Sequence, residues 1–158
     1  MKNNVNNDTA KITICLEEYI PLKVIVDSKE EPVKHISFFK DKTSLLEIAV
    51  GVTSGFIKRI TLLLSKEYDI KEGELRIDFY EMGDLKLHNE LKNSCSCFNT
   101  HIYINGIKIV ISREKVYKYI KMDRLYVGLS YLNNIAEICL CQLTADEVNH
   151  IKKELLFQ

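Results

Sequence analysis

The sequence predicts a β-rich α+β protein in which two antiparallel four-stranded meanders share one core and a helix ends the chain. The first observation is a period-2 alternation of apolar and polar residues over 44–65, in two arms around a Thr-Ser-Gly turn, which predicts a β-hairpin. The second is the return of this pattern over 123–144. The third is a helix-start signal near the C-terminus, followed by apolar residues at helical spacing.

The residues of the first hairpin favour one register. A three-residue loop over 53–55 pairs Ile48 with Ile60 and Leu46 with Leu62, which keeps one face of the hairpin apolar. The last loop residue must then adopt the left-handed conformation, and Gly55 does so without steric cost. A two-residue loop would mix the polar and apolar faces, so we expect the longer loop.

The repeated pattern indicates an internal duplication. Asn134 stands where the first hairpin has its glycine, and asparagine tolerates positive φ better than most residues. Residues 22–38 likewise align with 107–121, so the two predicted meanders cover 22–65 and 107–144. The alternative is that two unrelated amphipathic meanders, both rich in Ile and Val, look alike by chance.

The alignment places Lys58 and Glu137 at equivalent positions, each on the apolar face of its hairpin. A charge on such a face is costly unless it reaches water or a partner, so two interpretations stay open. Either the two charges pair near a pseudo-twofold axis, or each long side chain reaches solvent beside its turn. Cys139 and Cys141 fall on the same predicted apolar face, where we expect them to act as small hydrophobic side chains.

The two ends of the chain give different signals. Residues 1–10, rich in asparagine, are predicted to be a disordered lead-in. Residues 12–20 are compatible with a strand or a short helix, and their β-branched start favours the strand. Thr144 and Glu147 have the spacing of a capping box. The apolar residues that follow predict a helix over 145–157.

The composition is that of an ordinary globular protein, and its length predicts a single domain, 1–158. Lys plus Arg and Asp plus Glu each number 22, a balance that supports neither a nucleic-acid partner nor a membrane partner. The polar N-terminus lacks the apolar segment of a secretory signal, so we expect a cytoplasmic protein. In that reducing compartment its five cysteines are expected to be free thiols.

The segment between the two copies has the strongest charge asymmetry. Residues 73–80 alternate in polarity and predict a strand with one wet face. Six acids and only two cations lie within 69–84, which indicates either a solvated face or a docking face for a basic partner. The candidate partner-binding residues are Glu72, Glu74, Asp78, Tyr80 and Glu81.

A helix is predicted over 84–94, and a possible set of metal ligands lies in and after it, namely His88, Cys95, Cys97 and His101. Zinc sites usually have two residues between paired cysteines, whereas here there is one. We therefore predict no metal and no cofactor.

The sequence contains no glycine-rich phosphate loop, nucleophile elbow or zinc-protease motif. We therefore expect a binding protein without catalytic residues. Two alternatives stay open. One is a small hydrolytic enzyme, metal-dependent or not, whose site is assembled from distant residues; the other is a structural assembly subunit.

The segment LEIAVGVTSGFIKRITLL (46–63), set in duplicated meanders, resembles immunity proteins of bacterial polymorphic-toxin systems, including those of contact-dependent growth inhibition. The resemblance covers residues 22–65 best. It implies a small cytoplasmic protein that binds and blocks a cognate toxin domain, often a nuclease, without catalysis. Many such proteins are acidic whereas this chain is neutral, and their toxin-binding residues vary, so the resemblance assigns none of them here.

Overall fold

The computed structural model describes residues 10–87 and 98–158, and these residues form twelve strands and one helix. The strands are β1 (Ile12–Glu17), β2 (Ile20–Val26), β3 (Val33–Lys40), β4 (Ser44–Gly51), β5 (Ile57–Ser65), β6 (Tyr68–Ile70), β7 (Glu81–Met82), β8 (Asn99–Tyr103), β9 (Gly106–Val110), β10 (Val116–Met122), β11 (Leu125–Ser130) and β12 (Ile135–Leu140). The helix α1 spans Ala145–Leu156. The predicted lead-in, apart from Ala10, lies outside the described residues.

The strands form two sheets. The first has the order β1-β2-β5-β4-β3 and is antiparallel throughout. The second has the order β6-β8-β9-β12-β11-β10-β7, in which β6 and β7 pair in parallel at the two edges. This arrangement confirms the predicted β-rich α+β fold with a C-terminal helix, and it also confirms the strand predicted within 12–20.

The strand order within each half corrects the predicted meanders. In the first half β2 lies beside β5 instead of β3, and in the second half β9 lies beside β12 instead of β10. The other three strands of each half follow one another as hairpins, so both halves have Greek-key order. The connections after β2 and β9 contain no tight turn, so the first strand is free to bond the open edge of the fourth. An internal duplication would give both halves the same strand order, as is seen here.

The first hairpin has the predicted register up to its turn. Leu46 pairs with Leu62 and Ile48 with Ile60, and Gly55 has a φ of 74°. The loop is one residue longer than predicted, over 52–55, because Lys58 is an unpaired bulge residue in β5.

The second hairpin has a shorter loop than the first. Its loop covers 131–133, and Asn133, not the predicted Asn134, has positive φ, at 62°. The second arms of the two hairpins are therefore offset by one residue from the predicted alignment. As a result Ala136, which is the bulge residue of β12, is the equivalent of Lys58, and Glu137 is not.

One cluster of buried apolar side chains joins the two sheets and the helix. It includes Ile48 and Leu62 from the first sheet and Ile138 from the second, each 0–1% exposed. Helix α1 adds its own apolar face, formed by Val148, Ile151 and Leu155. The two halves therefore share one core, because each sheet covers the apolar face of the other.

Helix α1 confirms the prediction made for the end of the chain. The Thr144 hydroxyl accepts a hydrogen bond from the Glu147 N–H (3.2 Å), and the Glu147 carboxylate accepts one from the Thr144 N–H (2.9 Å). Arg124 donates to both Glu147 oxygens, at 2.9 and 3.2 Å. Later in the helix, the buried Glu154 carboxylate accepts the Tyr19 N–H (2.9 Å), which attaches the β1–β2 turn to the helix.

The helix predicted over 84–94 is wrong for 84–87, and its remaining residues lie outside the described ranges. Residues 84–87 are not helical, and the Asp84 carboxylate accepts the Ala10 N–H at 3.1 Å. Lys86 instead forms an isolated bridge with Phe56.

Candidate functional site

The outer face of the second sheet, which points away from the shared core, carries a row of side chains across β10, β11 and β12. Tyr119 pairs with Gly128, and Gly128 pairs with Glu137, so the three residues lie side by side. A Cβ atom at Gly128 would lie 2.9 Å from the Tyr119 ring. Because that space is empty, the Tyr119 ring crosses β11 and its hydroxyl donates to the Glu137 carboxylate at 2.5 Å.

Glu137 connects this tyrosine to a cation and a thiol. Lys108 Nζ lies 3.9 Å from Glu137 Oε2, and the Cys139 thiol donates to the same oxygen at 3.9 Å. Burial, together with the hydrogen bond to Glu137, raises the pKa of Tyr119 far above its ordinary value. Burial likewise raises the pKa of Cys139, and that of Cys141 to about 11. At neutral pH these three groups therefore keep their protons, and Tyr119 and Cys139 donate theirs to Glu137.

Cys139 and Cys141 lie on the face opposite to the one predicted. Both belong to a small second cluster on the outer face, which also contains Tyr126 and Leu75. The prediction placed them in the shared core because it ended the loop at Asn134 and included no bulge, whereas the loop ends at Asn133 and Ala136 is a bulge residue. Their expected behaviour as small hydrophobic side chains agrees with their burial.

Residues 73–80 cover this cluster, and they correct the predicted strand, because they pair with no strand that the structure describes. The segment is attached to the β8–β9 turn: the Leu75 N–H donates to Asn105 Oδ1 (2.8 Å), and the Ile104 N–H donates to the Gly73 carbonyl (3.2 Å). The Leu75 side chain fits over Gly106, where a Cβ would lie 3.0 Å from it. The alternation in the segment thus reflects burial against the face of a sheet rather than pairing at its edge.

Two aromatic rings join the end of this segment to the sheet. Tyr80 packs edge-to-face on Tyr126, with 5.5 Å between ring centroids. The Lys121 ammonium lies 4.9 Å from the Tyr80 centroid and 5.4 Å from that of Tyr126, which is cation–π geometry.

A groove of about 600 Å³ lies between residues 76–81 and residues 116–119, with Lys108 also lining it. We call it the outer groove. Phe79 is 88% exposed and Tyr117 67% exposed at its rim, and Tyr117 packs edge-to-face on Tyr131. Exposed aromatic side chains grouped around a concave surface are typical of protein-binding sites.

The predicted partner-binding residues are close in the fold but do not share one strand face. Asp78, Tyr80 and Glu81 line the outer groove, whereas Glu72 and Glu74 are exposed before it. Glu81 lies 3.8 Å from Lys118, and Glu74 lies 3.2 Å from Arg76. Sequence reasoning missed Tyr117 and Tyr119, which join the site only through the position of β10. It named Glu137 only as the predicted equivalent of Lys58 in the second hairpin.

Of the possible metal ligands considered in the sequence, His88, Cys95 and Cys97 lie outside the described residues. His101 lies on β8, where its Nδ1 is 3.3 Å from Asp69 Oδ2 on β6. Among residues 10–87 and 98–158, no three His, Cys, Asp or Glu side chains are grouped closely enough to hold a metal ion.

Lys58 belongs to a separate charged cluster on the first sheet. Its ammonium lies 3.1 Å from Glu31 Oε2, and it donates to Ser28 Oγ (2.9 Å) and to the Lys29 carbonyl (3.1 Å). Of the two interpretations left open for these charges, the pairing of Lys58 with Glu137 is wrong, since Lys58 pairs with Glu31 and Glu137 accepts a hydrogen bond from Tyr119. Lys58 does not reach solvent freely either, because its side chain is only 12% exposed.

Glu31 attaches the loop after β2 to the first hairpin turn. Its Oε1 accepts the backbone N–H groups of Ser54 (2.9 Å) and Thr53 (3.0 Å). These hydrogen bonds, with the largest effect from Ser54, lower the pKa of Glu31 to about 2. Gly51 provides the space, since a Cβ there would lie 2.2 Å from Glu31 Oε1.

No protein-family model matches this chain, and no curated protein matches it in sequence. Within the described ranges, no helix is long and apolar enough to cross a membrane.

Proposed function

We propose that this chain is a non-catalytic cytoplasmic binding protein that neutralises a cognate toxin domain, as immunity proteins do, and that it binds the toxin through the outer groove. The observation that carries the proposal is the pair of exposed rings, Phe79 and Tyr117, at the rim of a concave surface. Exposed aromatic rings gain stability when a partner covers them, and such residues dominate the affinity of many protein interfaces.

The polar groups of the groove also support binding. Tyr119 and Lys108 line the groove, and both contact the Glu137 carboxylate beside it, Tyr119 by a hydrogen bond and Lys108 at 3.9 Å. Their side chains are therefore held in place before a partner binds. Their neighbour Cys139 has a raised pKa, so it is a protonated thiol at neutral pH. A protonated thiol suits packing and hydrogen bonding rather than nucleophilic attack.

The test uses the product of the adjacent open reading frame as the toxin. We expect its expression alone to arrest bacterial growth, and co-expression of this chain to restore growth. The double variant Phe79→Ala/Tyr117→Ala should lower the affinity for the purified toxin domain by roughly 30-fold or more, measured by calorimetry, because truncated anchor residues cost about 2 kcal/mol or more.

The matched control is Phe157→Ala, which truncates another exposed aromatic residue, 73% exposed, at the end of α1. It should bind and protect like the wild type. Wild-type affinity in the double variant would move the contact surface away from the outer groove. A neighbouring product that is not toxic, or that does not bind this chain, would reject the immunity function.

A further inference from the structure

We infer that the outer groove recognises an arginine side chain presented by the partner protein. The inference rests on the proposed function and extends it, because it names the chemical group that enters the groove. Four of the residues that line the groove are aromatic, namely Phe79, Tyr80, Tyr117 and Tyr119. The face of an aromatic ring is electron-rich and attracts cations.

The surface beside the groove already binds a cation of its own chain. The Lys121 ammonium lies over the rings of Tyr80 and Tyr126, with 4.9 and 5.4 Å to the two centroids. The rings of Phe79 and Tyr117 are the most exposed aromatic groups at the rim. Both rings line the groove, and among the described residues neither has a cation over its face.

The charged residues of the groove also favour a cationic side chain as the group that binds there. Each of its three cations lies within 4 Å of a carboxylate: Arg76 is 3.2 Å from Glu74, Lys118 is 3.8 Å from Glu81, and Lys108 is 3.9 Å from Glu137. Asp78 is exposed, lines the groove and forms no ion pair with any residue in the described ranges. Among the charged residues that line the groove, Asp78 is therefore the one without an ion-pair partner in the described ranges.

An open carboxylate next to exposed rings fits arginine better than lysine. The guanidinium group is planar, so it stacks on an aromatic ring while donating two hydrogen bonds to one carboxylate. It is also less strongly hydrated than an ammonium group, so it enters a partly covered groove at a lower cost. Arginine is accordingly the side chain that uses both Asp78 and the rings.

The experiment follows backbone amide NMR shifts of the full chain during titration with three probes: the N-acetyl methylamides of arginine, lysine and norleucine. We expect the arginine probe to shift the amides of 77–79 and 116–119 and to bind most tightly. Asp78→Asn should weaken arginine binding about tenfold, since a hydrogen bond to a charged group is lost. Glu72→Gln, which neutralises an exposed acid outside the groove, is the matched control and should bind like the wild type.

Equal binding of the lysine or norleucine probe, or unchanged arginine binding in Asp78→Asn, would overturn the assignment. Amide spectra of each variant without probe show whether it is folded, and both substituted positions are exposed. If arginine recognition fails but the double variant Phe79→Ala/Tyr117→Ala has a lower affinity for the toxin domain, the proposed function is kept. If the wild type does not bind the toxin domain, the proposed function itself is rejected.

Discussion

At the scale of single residues, Glu137 shows how a charge is accommodated on a sheet face. Its side chain is only 17% exposed, yet it receives a hydrogen bond from Tyr119 and lies near the Lys108 ammonium. A carboxylate in such a position is tolerated because its partners replace water. Gly128 is equally necessary, since any side chain there would block the path of the Tyr119 ring.

Tyr119→Phe tests this arrangement, because it removes one hydroxyl and keeps the ring. We expect the free energy of unfolding to fall by about 1–3 kcal/mol, since Glu137 loses a donor and stays largely covered. Urea denaturation measures the change. The control is Tyr117→Phe, whose ring is exposed and which should stay within about 0.5 kcal/mol of the wild type. Equal effects of the two substitutions would contradict the role given to the Tyr119 hydroxyl.

At the scale of secondary-structure elements, the loop between β2 and β3 is attached to the first hairpin by one carboxylate. Glu31 accepts two backbone N–H groups of the turn and pairs with Lys58. The loop therefore has a defined position although it has no regular hydrogen-bond ladder of its own. Gly51 makes this contact possible, because the carboxylate occupies the space where a side chain would be.

The Glu31 carboxylate should make the free energy of unfolding depend on pH in the acid range. Its pKa is about 2 in the folded chain, below the ordinary value of 4.5, so the folded state binds its proton less readily than the unfolded state. The stabilisation is therefore fully present above pH 4.5 and is lost as the pH falls toward 2. We expect Glu31→Gln to be less stable than the wild type at pH 6, with a difference that shrinks between pH 4.5 and 2. Urea denaturation at several pH values measures it, and a difference independent of pH would contradict the assignment.

The alternating pattern of residues 73–80 fits two structures, a paired strand or a segment that packs on the face of a sheet. Leu75 and Ile77 alternate with polar residues as they would in a strand, and they pack on the second cluster of the outer face. The pattern reports that every second side chain is covered, but not which surface covers it. Its aromatic end, at Phe79 and Tyr80, forms one wall of the outer groove.

At the scale of the whole molecule, the described residues of the two halves bury their apolar faces in one cluster. Ile48 and Leu62 of the first sheet are buried in the same cluster as Ile102 and Ile138 of the second. Separation of the halves would expose both apolar faces to water, at a cost of about 25 cal/mol for each Å².

A fragment of residues 1–66 should therefore not fold alone, although it contains the first sheet. We expect poorly dispersed amide NMR signals from the fragment. The full chain should give coincident urea transitions by circular dichroism and by tyrosine fluorescence, because a shared core unfolds cooperatively. A fragment with dispersed signals, or two separate transitions in the full chain, would show that the halves are independent.

Local patterns in the sequence were sufficient for the fold class, the first hairpin and the C-terminal helix. The capping box of Thr144 and Glu147 and the need for positive φ at Gly55 depend on neighbours only a few residues away, so they can be read from the chain. Tertiary structure decided the strand order, because the choice of β5 as the partner of β2 depends on which edge is free after folding. It also decided the outer groove: Asp78, Tyr80 and Glu81 were predicted as binding residues, but Tyr117 and Tyr119 join them only when β10 is placed beside β7. Contacts between residues far apart in sequence leave no local signal, and for this reason the site could be predicted only in part.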